Sequence, residues 1–488
     1  MTRPRLKESA LRLFPLAWPV FVGQIAVLAF STVDTVMTAR ASALDLAALA
    51  IGGSIYISVF VGLMGMIFAV GPIAGQLFGA GKHRESGHEA EQAVWLALAL
   101  AVVGCTVLLL PEPFLALARA EPAVAEKVRA YLRGLACALP ASLVFMAYRG
   151  FNVAVSRPKA VMVLQLGGLA LKVPINALFV FGFALPTPFG SVAVPALGAA
   201  GCGIATAIVM WCQLFAAILL LRRDPFYAPF GLGYGLSPPS RKSLAALLRL
   251  GIPMGLSILI EVTGFTFMSF FISRIGATPV AGHQIAVNMV SLMFMLPLSI
   301  ANASSVLVAQ RIGAGDHDDA GRIGWAGLEI GVLIAAVLGS AVYLLREQVI
   351  GLYTGNPVIV AAALPLLAWV ALFHVADAAQ TIAAFVLRAY RIATVPMLVY
   401  VFAVWGVGLG GGYLAAFDSL GISPAWMHGA SGFWSMATVG LTVAAAGMTA
   451  FLAWRTQRDA REAAPKEPAP PSRREGRGGS NPDRECRD

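Results

Sequence analysis

The chain has 488 residues, of which 58% are apolar and only 12% charged, with a mean hydropathy of +0.77. These values lie far outside the range of soluble domains and exclude an ordinary globular fold. The formal net charge of +10 would suit a nucleic-acid binder, but the Lys and Arg residues are spread over many loops rather than gathered on one soluble face.

A membrane span needs about 20 mostly apolar residues, and such a window picks out about twelve segments. They lie near 11–38, 46–74, 92–111, 130–150, 160–184, 196–221, 246–272, 280–307, 324–345, 360–387, 393–416 and 432–454. The stretch Met1 to Phe30 has the basic-then-apolar look of a secretory signal, but it takes part in an internal repeat and is read as part of the first span. Basic residues crowd every second loop, beginning with Arg3, Arg5, Lys7 and Arg12 and then Lys82 and Arg84, whereas 185–195 carries no charge and 417–431 no Lys or Arg. The positive-inside rule then places both termini in the cytoplasm.

Span 1 carries Asp34 in "FSTVDTVMTA", with Ser31 and Thr38 on one side of it. Lys172, in "LALKVPINALFVFG", is the only deep intramembrane base; it could pair with Asp34, lend a positive charge to a cavity, or simply pack. Residues 222–245, with "SPPSRKS", read as a cytoplasmic linker tolerant of change. Span 7 holds Glu261 about fifteen residues in, too deep for so short a side chain to reach water. An acidic residue at the centre of a bilayer costs about +2.5 to 3.5 kcal/mol even on lenient scales, so it is a functional candidate by default.

In span 8, Gln284, Asn288 and Ser291 follow one helical stripe and offer neutral oxygens. In span 10, "FHVADAAQTIAAF" buries Asp377 and places His374, Gln380 and Thr381 on its face. Any one of these groups could instead be a hydrogen-bond acceptor for a neighbouring helix. Cys105, Cys137, Cys202 and Cys212 lie in or beside spans and Cys486 in the tail, with no metal or disulfide spacing. Residues 455–488, rich in Pro, Gly and charge of both signs, read as a disordered cytoplasmic extension.

Sliding the chain against itself by 234 positions pairs "QLFGAGKHRESG" at Gln76 with "QRIGAGDHDDAG" at Gln310, and Pro19, Thr32 and Arg40 with Pro253, Thr266 and Arg274. Each half holds six spans, an even number, so both enter the membrane in the same orientation. The fold class expected is an all-α polytopic membrane protein, with bundles at 1–221 and 246–454 related by a pseudo-twofold axis along the membrane normal. There is no Gly-rich loop ending in Gly-Lys-Ser/Thr, no Gly-x-Ser-x-Gly and no His-Glu-x-x-His, which argues against an enzyme or an ATP-driven pump. A transporter without nucleotide draws on an ion gradient, and a buried carboxylate is the usual receiver.

At this point the chain resembles the multidrug and toxic compound extrusion (MATE) transporters, and within them the NorM-like branch, over roughly residues 10–455. The resemblance rests on "STVDTVM", "QLFGAG", "VPINALFVFG", "GAAGCGIATAIVMW", "LRLGIPMGLSILIEVTGF", "AGHQIAVNMVSLMFMLPLSIANASSV", "VADAAQ" and "LRAY". It implies an antiporter of a bacterial inner membrane that exports varied, often cationic drugs and toxic organic compounds in exchange for Na⁺ or H⁺. No other cofactor, nucleic acid or obligate protein partner is implied, only membrane lipid. Carried over, the cation-responsive carboxylates are Glu261, Asp377 and Asp34, with Na⁺ at Glu261 and Asp377, and a cavity lined by Phe265, Met268, Met289 and Phe294. The pattern departs at Lys172, one turn before Asn176, where relatives often have asparagine. A flippase for lipid-linked polyprenyl intermediates is the alternative, favoured by Lys172 and opposed by three buried acids; a receptor or channel without pumping is a third reading.

Overall fold

The computed structural model describes residues 6–187, 190–233 and 235–463. Among these, twelve helical stretches are long and apolar enough to cross a membrane. In chain order the helices are α1 (Leu6–Ala41), α2 (Ala43–Ile67), α3 (Val70–Gly79), α4 (His83–Leu109), α5 (Glu112–Leu117), α6 (Pro122–Ala154), α7 (Pro158–Phe181) and α8 (Ala199–Arg223). The second half contains α9 (Arg241–Ser273), α10 (Ala277–Gly313), α11 (His317–Leu344), α12 (Arg346–Gly351), α13 (Pro357–Ala389), α14 (Thr394–Tyr400), α15 (Gly411–Ala416) and α16 (Ala430–Ala463). α2 and α3 form one span, α14 and α15 another, and the short α5 and α12 lie between spans. Most helices overrun the apolar windows by several residues, because polar ends continue the helix once its core has nucleated.

Two features depart from the expected pattern. The uncharged loop between α7 and α8 folds as an antiparallel hairpin, β1 (Phe183–Thr187) with β2 (Gly190–Val194). Residues 455–463, expected in the tail, continue α16, where Arg455 bridges Asp459 one turn on at 3.0 Å. Cys486 and the rest of that extension lie outside the described residues.

The duplication is visible in backbone detail. The turns after α3 and α10 both close on a left-handed glycine, Gly81 (φ 74°) and Gly315 (φ 79°). The ends of α6 and α13 both pass through a left-handed non-glycine residue, Ser156 (φ 61°) and Arg391 (φ 59°), with matching capping bonds from Arg157 N to Asn152 O and from Ile392 N to Leu387 O.

The two halves exchange helix ends at the face bearing the basic loops. Leu13 and Ala17 of α1 are buried among residues of α10, α11, α13 and α16, while Leu247, Leu250 and Met254 of α9 join the core of the first half. Reciprocal bonds lock this end. Gln76 Nε2 donates to Ala389 O and Gln310 Nε2 to Ala154 O, each at 2.7 Å, and Arg12 reaches Asp319 across the halves at 3.1 Å. Gly79 and Gly313 allow it: a methyl on Gly79 would fall 2.6 Å from the carbonyl carbon of Gln310, and one on Gly313 2.7 Å from that of Gln76. The polar repeat in the sequence is therefore part of the contact between the halves.

The connecting segment, read from composition as a linker, is docked onto the first half. Tyr227 is fully buried and donates to Asn152 Oδ1 at 2.6 Å, Asp224 pairs with Arg157 at 3.1 Å, and Gln92 holds Pro238 O and Ser240 N. Aromatic and Asx-type side chains dock it onto α4 and α6 despite a composition that reads as loop.

Candidate functional site

The second half brings Glu261 and Asp377 into one cluster. Asp377, on α13, is buried, and its Oδ1 accepts from Gln380 Nε2 at 3.0 Å. The same Nε2 donates to Thr381 Oγ1 at 3.0 Å, and the hydroxyl of Tyr400 on α14 donates to Gln380 Oε1. Every polar atom of the buried Gln380 side chain is thus engaged, which fixes the face of Asp377. Glu261, half-buried on α9, lies within electrostatic reach of Asp377 and of the buried Arg388. Two carboxylates thus lie within electrostatic reach of each other in a low-dielectric volume, and Arg388 acts on Glu261 through space without closing a salt bridge to it.

The helix opposite Glu261 is irregular. Residues Val401–Gly410, between α14 and α15, wind as a π-helix, and Trp405 Nε1 from that turn donates to Ile260 O, next to Glu261, at 3.1 Å. Wide turns of this kind free backbone groups and recur at functional sites. Here "VWGVGLGGG" supplies small residues that tolerate the wider turn.

Glu261 lines a narrow apolar cleft together with Phe265, Met268, Phe373, Val404 and Phe433. Phe265 meets Phe373 edge-on at 5.9 Å and Trp434 at 6.5 Å. Behind them, Trp434 Nε1 donates to His283 Nδ1 at 3.2 Å, while His283 Nε2 contacts Ser269 Oγ at 2.7 Å. With Nδ1 accepting, His283 is a neutral ring that donates from Nε2. A ring-lined cleft with an acid in its wall suits a flat, apolar cation.

The sequence-predicted residues divide. Phe265 and Met268 line the cleft with Glu261; Met289 and Phe294 do not, and Met289 packs against the core beneath it. Gln380 and Thr381 bond in the Asp377 cluster, whereas His374 is fully buried with neither ring nitrogen hydrogen-bonded. Gln284 and Asn288 are exposed, and Asn288 and Ser291 donate back to carbonyls of their own helix at 3.1 and 2.9 Å. The stripe on α10 therefore makes no hydrogen bond to either carboxylate. Among the described residues, no three His, Cys, Asp or Glu side chains gather as a metal site. A cation at Glu261 and Asp377 would draw its remaining ligands from neutral oxygens.

Tyr400, Arg388 and His283 are the participants that pattern reading missed. Each acts across helices, and Arg388 stands beside a basic loop where it passes for a topology signal.

The first half is built differently. Asp34 Oδ1 pairs with Lys172 Nζ at 2.9 Å, and Lys172, fully buried, also donates to Thr206 Oγ1 at 2.6 Å and Cys202 O at 3.3 Å. Thr38 contacts Cys202 Sγ at 3.2 Å, and Asn176 Nδ2 contacts Met37 Sδ at 3.3 Å. Of the alternatives for Lys172, the structure shows the pair with Asp34. Its ammonium is consumed there rather than presented to a cavity.

A MatE family profile matches residues 19–178 and 253–414, once in each half. The chain is 39% identical over 435 residues to the "probable multidrug resistance protein NorM" of Aromatoleum aromaticum, covering 89% of this chain and 91% of that protein. It is 36% identical over 456 residues to the protein of the same name from Chromobacterium violaceum, covering 93% and 95%. Its fold matches the crystal structure of the eukaryotic MATE transporter AtDTX14 with a TM-score of 0.81 at 18% identity, covering 94% of this chain and 98% of that one. With two matched repeats and NorM relatives along nearly its whole length, the chain belongs to the MATE family of transporters, in its NorM-like branch.

Proposed function

We propose that the protein is a multidrug efflux antiporter that exports varied, often cationic organic compounds in exchange for Na⁺ or H⁺, by alternating access between bundles 1–221 and 246–454. The observation that carries the reading is Glu261, in the wall of an aromatic cleft and within electrostatic reach of the buried Asp377. A cation or a proton relieves the excess negative charge of that pair, and a cationic drug competes for the same charge. Export and uptake are then coupled without any nucleotide site. The names of the relatives support drugs as the substrate class.

The basic loops favour an inner-membrane setting with both termini in the cytoplasm. On that orientation the Gln76 and Gln310 lock closes the cytoplasmic end, and rocking must break it. Glu261, Asp377 and Asp34 are the proposed cation-coupling residues; Asp34, paired with Lys172, is the least free to exchange a cation. A polyprenyl flippase loses its supporting feature, since Lys172 is spent on that pair. Efflux of a fluorescent cationic dye from energised cells expressing Glu261→Gln or Asp377→Asn tests the reading. The expected result is loss of efflux with normal membrane insertion, and wild-type efflux by either variant would overturn it.

A further inference from the structure

A second, small cavity lies between the halves just inside the lock. Its wall includes Arg149 from α6 and Arg388 from α13, the phenyl rings of Phe68 and Phe385, and the polar side chains of Asn302 and Ser305. We propose that this pocket binds a small oxyanion, of phosphate, sulfate or carboxylate type, between Arg149 and Arg388, and that the bound anion ties the two halves together at this end.

The charge inventory supports the proposal. Both arginines are buried and no acidic residue lines the cavity. The hydrogen bond of Arg149 goes to a neutral oxygen, Gln24 Oε1, at 3.0 Å. Arg388 feels Glu261 through space, yet among the described residues neither guanidinium forms an ion pair with a carboxylate. Charges removed from water are normally paired, and these two like charges have no counter-ion within the pocket they line. Each guanidinium also lies over a ring that lines the pocket, Arg149 over Phe68 at 5.6 Å and Arg388 over Phe385 at 4.4 Å. Ring contact holds the planar fork while leaving in-plane N–H groups for an oxyanion. The two arginines come from opposite halves, so without an anion they repel across the contact and with one they are bridged.

Binding of radiolabelled phosphate to the full-length protein in detergent micelles tests the site without any transport step, so its failure would leave the efflux reading standing. Saturable binding of about one phosphate per chain is expected, displaced by sulfate. Arg149→Gln should lose roughly tenfold in affinity, the worth of one hydrogen bond to a charged group, and Arg149→Lys less. Arg149 is the decisive position because Arg388 also acts on Glu261; Arg388→Lys stands in if Arg388→Gln does not fold. Displacement of phosphate by phosphatidylglycerol would name a lipid headgroup as the source of the anion, and displacement only by soluble oxyanions would name a free ion; both support the site. Absence of saturable binding, or full affinity in both Arg149→Gln and Arg388→Lys, would overturn it.

Discussion

Gly313→Ala puts a methyl group into the contact that closes the basic end. That carbon would stand 2.7 Å from the carbonyl carbon of Gln76, where ordinary contact begins at 3.4 Å, so the two backbones must part by about 0.7 Å, and by more to clear the oxygen. Both neighbours are main-chain atoms, and no rotamer change relieves the clash. Separation strains the two reciprocal glutamine bonds, Gln76 to Ala389 O and Gln310 to Ala154 O. At about 0.5 to 1.5 kcal/mol each, their loss amounts to roughly 1 to 3 kcal/mol, a shift of about 5- to 150-fold toward the state open at this end. Ser305→Cys, in the pocket behind the lock, reports that opening by its reaction with a membrane-impermeant maleimide. The expected result is labelling accelerated within that range in Gly313→Ala, and similarly in Gly79→Ala on the opposite half. Unchanged labelling in both would show that this contact does not hold the end closed.

Tyr400→Phe removes the hydroxyl that satisfies Gln380 Oε1 and leaves a buried acceptor unpaired, a cost of about 1 to 3 kcal/mol; lower thermal stability and slower ion-driven transport are expected in the same variant. Lys172→Met strands Asp34 in the first half and should destabilise the protein by about 3 to 5 kcal/mol. The double variant with Asp34→Asn should recover much of that loss in detergent thermal melts, and strict additivity would contradict the pairing. Phe230→Ala, in the connecting segment, empties a buried site shared with Phe78 and Phe151 and should cost about 3 to 5 kcal/mol, measurable as a lower Tm; a neutral effect would mean the segment is a free tether after all.

The twelve spans were legible because an apolar window of bilayer length is a one-dimensional signal that needs no knowledge of neighbours. The polar stripe of Asp377, Gln380 and Thr381 was legible for a similar reason: three and four residues apart on one helix, the groups are neighbours whatever surrounds them. Helical spacing says nothing about which neighbouring helix faces a stripe. Gln284, Asn288 and Ser291 share a face as expected, but the Asn288 amide and the Ser291 hydroxyl fold back on α10 instead of bonding to either carboxylate. Tyr400 lies 20 residues from Gln380 across a turn, and only the packing of α14 against its neighbours brings its hydroxyl to the amide. The "GAG" motifs were visible as a repeat, while their role as a mutual contact follows from backbone separations that no composition encodes. The connecting segment read as loose because Pro and Ser mark irregular backbone, whereas its docking depends on Tyr227 and Phe230 finding pockets on α4 and α6.

If Glu261 and Asp377 act as one cation-accepting pair, drug transport by purified protein in proteoliposomes, under an imposed Na⁺ gradient and separately an imposed pH gradient, shows it most directly. Wild-type protein should respond to at least one gradient, and Glu261→Gln and Asp377→Asn should each abolish that response, since either substitution keeps the side-chain size and removes the charge. Asp34→Asn, whose partner is already Lys172, should retain part of it. Full gradient-driven transport by Glu261→Gln or by Asp377→Asn would contradict the account.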